Sequence, residues 1–178
     1  AIEAKIIETR DEVAIDADGF IGGVELTLYH DDNFKIELTE KAFYADYSTN
    51  NNQTKLIIIH PESSKLFSYT GNFEIYDMKV VNSRELITYD YIIISDYNLS
   101  EAYPNPFNPT TNISMLLPAR SDVNLAIYDI RGRLVETLIN ENKVAGIYSF
   151  IWHADNYSSG VYIVTLSALS SDETHSEV

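Results

Sequence analysis

Three prolines stand within the stretch Tyr103-Pro104-Asn105-Pro106-Phe107-Asn108-Pro109-Thr110-Thr111, and no other feature restricts the folding of this chain as much. Proline lacks a backbone N–H and fixes φ, so a segment holding three of them joins neither a helix nor a central strand. Each residue before a proline is pushed toward β or polyproline geometry, and asparagines bond readily to their own backbone. The stretch reads as a stiff, extended strap. Tyr103 and Phe107 are its two large apolar groups, and burying each is worth about 2 kcal/mol. Both are therefore expected to anchor the strap in a crevice at a domain junction or at the base of a sandwich.

The strap divides the 178 residues into two pieces of domain size, 1–98 and 99–178. In the first, Val24, Leu26 and Leu28 alternate with Glu25, Thr27 and Tyr29, and Phe34, Ile36 and Leu38 repeat the pattern after the polar turn His30-Asp31-Asp32-Asn33. Residues 1 to 15 read as one strand carrying Ile6, Ile7, Val13 and Ile15, closed by the turn Asp16-Ala17-Asp18-Gly19. Leu56-Ile57-Ile58-Ile59 is a continuous apolar run of the kind that is buried on both faces.

In the second piece, strands are expected over Ile113–Leu117, Val123–Ile127, Leu134–Ile139, Ala145–Trp152 and Val161–Leu166. Trp152, the only tryptophan, shares its parity with Tyr148 and Phe150, so all three should face inward. Short strands at even spacing without a 3.6-residue period argue an all-β chain. The architecture expected is two immunoglobulin-like β-sandwich domains in tandem, joined by the Pro-rich strap.

The net charge is −15, with eight basic against eighteen acidic residues in 1–98 and four against nine in 99–178. Neither half offers the clustered Lys and Arg that phosphate neutralisation needs, which argues against a nucleic-acid partner. No apolar run approaches the length of a membrane span. Cysteine is absent, so disulfides and thiolate chemistry are excluded.

The carboxylates Asp16, Asp18, Asp31 and Asp32 sit in two turns, where oxygen ligands can gather for calcium, the one cofactor the sequence suggests; ordinary turn chemistry is the alternative. His30, His60, His153 and His175 lack metal-binding spacing. No nucleophile elbow, phosphate loop or dinucleotide fingerprint occurs, and no pair of acids is singled out, so the chain reads as noncatalytic. Tyr44, Tyr47, Tyr69, Tyr76, Tyr89 and Tyr91 suit either a flat platform for a glycan or ordinary strand packing.

The run Tyr103-Pro104-Asn105-Pro106-Phe107-Asn108-Pro109 resembles the opening signature of the C-terminal sorting domains of type IX secretion cargo, a sandwich also similar to that of flagellar hook-capping proteins. The pattern continues in order through Tyr128-Asp129, Gly132-Arg133, Gly146, Trp152 and Ser159-Gly160-Val161-Tyr162. The resemblance implies a secreted or bacterial cell-surface protein whose partner is the type IX machinery. Residues 1–98, through Gly22-Gly23-Val24-Glu25-Leu26-Thr27-Leu28 and Gly71-Asn72-Phe73-Glu74-Ile75, resemble cohesin-like sandwiches, which implies a spacer or an adhesive, protein-binding module. Family members continue to a further strand, whereas Ser167 to Val178 reads as polar and loosely held. The last strand is thus expected to be absent, leaving an open edge for strand addition by another protein or a second copy.

Overall fold

The computed structural model describes Ala1, residues 3–170 and the backbone of residues 174–177. Those residues form strands and turns, with no helix among them. No helix among them is therefore long and apolar enough to cross a membrane. The chain divides into two units, Ala1–Ile93 and Ile94–Val178, against the 98/99 boundary read from the sequence.

The first unit holds β1 (Glu3–Glu8), β2 (Glu12–Ala17), β3 (Gly23–His30), β4 (Lys35–Leu38), β5 (Ala42–Asn50), β6 (Gln53–Pro61), β7 (Lys65–Thr70), β8 (Phe73–Val81) and β9 (Thr88–Ile93). They form two sheets, ordered β4-β7-β2-β1-β9 and β5-β6-β3-β8. Both sheets feed one core: Ile6, Val13, Ile15, Leu66 and Phe67 from the first, and Val24, Leu26, Leu28, Leu56, Ile58 and Val80 from the second. Each such side chain, fully buried, contributes about 1.5–3 kcal/mol.

Two expectations fail here. The stretch from residue 1 to 15 is not one strand but a hairpin, because Thr9 turns the chain, its N–H bonded to the Glu12 carbonyl at 2.9 Å. Nor is the Leu56–Ile59 run buried on both faces. Leu56 and Ile58 are fully buried, whereas Ile57 and Ile59 stand 39% and 37% exposed on the outer face. The unit has only two layers, so a strand in it has one dry side, whatever its composition.

The second unit holds β10 (Asn98–Leu99), β11 (Thr110–Leu117), β12 (Ser121–Asp129), β13 (Leu134–Lys143), β14 (Gly146–His153), β15 (Tyr162–Ser170) and β16 (Thr174–Glu177). Its sheets are ordered β10-β11-β14 and β13-β12-β15-β16. Ile113, Met115 and Leu117 of β11, Val123, Leu125 and Ile127 of β12, and Leu166 and Ala168 of β15 make its core, with Trp152 and Tyr97. Along β14 the alternation holds: Trp152 is buried, Tyr148 and Phe150 pack on the core, and Ile147 and Ile151 face out.

The strap also departs from expectation. It does not join the two units but lies inside the second, where it follows β10 along the edge of β11. Tyr103 and Asn112 exchange backbone hydrogen bonds of 3.0 and 2.9 Å. The expected absence of a last strand is also overturned. β16 pairs antiparallel with β15, Leu169 opposite Thr174 and Leu166 opposite Glu177, so the edge read as open is covered over those residues. Ser167–Ser170, read as loosely held, belong to β15, while residues 171–173 and 178 lie outside the described residues.

Candidate functional site

The sorting-signature residues are scattered over sixty positions of sequence, yet strand register gathers nearly all of them at one end of the second unit. Thr110, at the start of β11, pairs with His153 at the end of β14, and Asp129, at the end of β12, pairs with Tyr162 at the start of β15. The strap, the 128–133 hairpin and the 152–162 segment therefore converge. Gly146 is the exception, since it pairs with Leu117 at the other end.

Trp152 is the centre of that end. It is 2% exposed and meets three rings: Tyr162 at 5.0 Å, edge on, Phe107 at 5.3 Å and Tyr157 at 5.8 Å between centroids. Edge-to-face and tilted contacts at these separations favour ring pairs beyond the area they bury. Its indole N–H donates to Glu136 Oε2 at 2.9 Å, and the Tyr157 hydroxyl donates to the same oxygen at 3.2 Å. Burial and then the Glu136 charge raise the Tyr157 hydroxyl above the ordinary tyrosine value.

The strap is held against this cluster from both sides. Thr111 Oγ1 donates to the Pro104 carbonyl at 2.8 Å, and the Ala154 N–H donates to the Pro109 carbonyl at 2.9 Å. The peptide bonds before Pro104, Pro106 and Pro109 are cis. Of the two expected anchors only Phe107 is one, half-buried on Trp152; Tyr103 is 80% exposed. Tyr103 is held by its backbone rather than its ring.

Tyr128-Asp129 and Gly132-Arg133 form the β12–β13 turn. Asp129 Oδ1 accepts the N–H groups of Arg131 and Arg133 at 2.9 and 3.0 Å, and Oδ2 accepts Arg133 Nε at 2.7 Å. The Arg133 amide foremost, then its guanidinium and the Arg131 amide, hold the Asp129 carboxyl below the ordinary aspartate value. Gly132 sits at φ +75°, a region side chains rarely adopt.

Between the strap and the 158–160 turn lies a recess of about 260 Å³. It is lined by Asn105, Pro106, Phe107, Asn108 and Pro109 on one wall, and by Ala154, Tyr157, Ser158, Ser159, Gly160 and Tyr162 on the other. Val161, between these, is 70% exposed. The recess itself was not legible in sequence, because its walls are some fifty residues apart.

The other candidates do not assemble. Asp31 accepts the Asn33 N–H and an Asn72 amide, and Asp32 accepts an Asn52 amide, the chemistry of turns. Asp16 and Asp18 line a separate recess of about 400 Å³ in the first unit, beside Glu3, Lys5 and Asp90. Among the described residues no three His, Asp or Glu side chains are placed to hold a metal ion. The tyrosines form no single platform. Tyr69 packs on the core, Tyr91 bonds Glu8 and Tyr89 bonds the Met78 carbonyl from β9, and Tyr44 and Tyr47 lie on opposite faces of β5.

Fold and site together define an all-β protein whose second unit gathers its marked residues, Gly146 apart, at one end. Comparison with protein families identifies that unit: residues 101–177 match the family described as Secretion system C-terminal sorting domain. The second unit therefore carries a type IX secretion C-terminal sorting domain, and the protein is a secreted one bearing that sorting signal. No curated protein matches the chain.

Proposed function

We propose that the chain is a noncatalytic portion of a cell-surface protein, in which the second unit directs export and the first is a protein-binding passenger. The convergence of the strap, Asp129 hairpin and Ser159-Gly160 turn on Trp152 supports the first part, because it makes the signature a single three-dimensional feature for the type IX machinery to recognise.

The single observation carrying the second part is an apolar patch on the first unit. Phe20, Tyr44, Ile57 and Ile59 are each exposed by 37% or more. Tyr44 pairs with Ile59 on the outer face of β5-β6-β3-β8, and Phe20 rests on His60, whose φ is +50°. An exposed apolar cluster of this kind favours a binding module, of the cohesin-like kind, over an inert spacer. It favours protein over glycan, given the dispersed tyrosines.

The test is to express the full chain and a chain lacking residues 94–178, both behind a general export signal, in a type IX-secreting bacterium. The full chain should reach the cell exterior and the shortened one should stay in the periplasm. Equal export of both would refute the assignment of sorting to the second unit.

A further inference from the structure

We propose that the recess between the strap and the 158–160 turn binds a neutral saccharide. The inference goes beyond sorting and rests on the recess alone. Its lining contains no charged residue, in a chain whose net charge is −15. A charged ligand would find nothing there to neutralise it. A wholly apolar ligand would strip water from the polar side chains Asn105, Asn108, Ser158 and Ser159 without replacing their hydrogen bonds. Two amides and two hydroxyls supply both donors and acceptors, which is what the hydroxyls of a sugar require.

The remaining lining residues suit the apolar side of a sugar ring. Phe107, Tyr157 and Tyr162 all rest on the buried Trp152, which fixes their positions before any ligand arrives. The walls are equally set: the strap through the carbonyls of Pro104 and Pro109, the turn through the Tyr162 hydroxyl on the Ser158 carbonyl. Such a site loses little freedom on binding. The volume of about 260 Å³ suits one or two pyranose rings better than an extended peptide.

The experiment is an NMR titration of the full chain with methyl glycosides of glucose, galactose and mannose, with N-acetylglucosamine, and with glucuronate. At least one neutral sugar should give saturable shifts confined to residues 105–109 and 154–162, with a dissociation constant of about 1 mM. Asn108→Ala and Ser159→Ala, on opposite walls, should each weaken that binding about three- to tenfold without lowering the unfolding midpoint. Absence of saturable shifts with every sugar, shifts outside the recess, or tighter binding of glucuronate than of the neutral sugars would overturn the proposal. Unaltered binding in both variants would overturn it too.

Discussion

Trp152 donates its indole N–H to Glu136 at 2.9 Å, which links β14 of one sheet to β13 of the other. The bond satisfies the one polar atom of a fully buried ring. Glu136→Ala would leave that N–H unpaired and take an acceptor from Tyr157, so it should cost about 1–3 kcal/mol. Glu136→Gln keeps an acceptor and should recover most of the loss. Urea unfolding followed by tryptophan fluorescence reads the second unit alone, since Trp152 is the only tryptophan. Equal stability of all three proteins would contradict the arrangement.

The strap should respond unequally to truncation of its two rings. Phe107→Ala removes a half-buried ring from Trp152 and should cost about 2 kcal/mol, below the range for fully buried phenylalanine. Tyr103→Ala should cost less than about 0.5 kcal/mol, because that ring is 80% exposed. The same fluorescence experiment ranks them, and a larger loss for Tyr103 would reverse the assignment of the anchor.

Asp129 should give the second unit a pH dependence of known sign. Its folded carboxyl is held below the unfolded value by the Arg133 amide above all, so its contribution is present above about pH 4 and is lost as pH falls further. Wild type should therefore unfold at a higher temperature than Asp129→Asn near neutrality, with the gap closing on acidification below about pH 4. A gap that widened on acidification would contradict the hydrogen bonds described.

Much of this was legible in the residues and some was not, for physical reasons. The alternation of Val24, Leu26 and Leu28, and of Tyr148, Phe150 and Trp152, marked strands and their inward faces because side-chain period is a local property. The sorting signature pointed to its family, and the family comparison agrees. Phe67 and Leu66, buried in β7, carry no strand signal in the sequence because Lys65-Leu66-Phe67-Ser68 has little alternation of its own. The parallel pairing of β1 with β9 joins residues over eighty positions apart and leaves no local mark. The strap reads as a boundary because prolines punctuate domains as readily as they line an edge strand, and its contacts with Asn112, Ala154 and Trp152, which separate the two readings, leave no local mark.

Neighbouring residues of β6 offer a sharp check on the first unit. Leu56→Ala should cost about 2–5 kcal/mol, the range for a buried leucine, whereas Ile57→Ala on the outer face should cost under about 1 kcal/mol. Chemical unfolding followed by circular dichroism measures both. Similar losses at the two positions would mean that both faces of the strand are covered.

The central claim, that the second unit carries the first to the cell exterior, is tested most directly by locating the first unit on intact cells. Antibody against residues 1–93 should label intact cells that express the full chain and possess the type IX system, and fail to label cells lacking it although the protein is present in their lysate. Equal labelling with and without the system, or no labelling in either, would contradict the account.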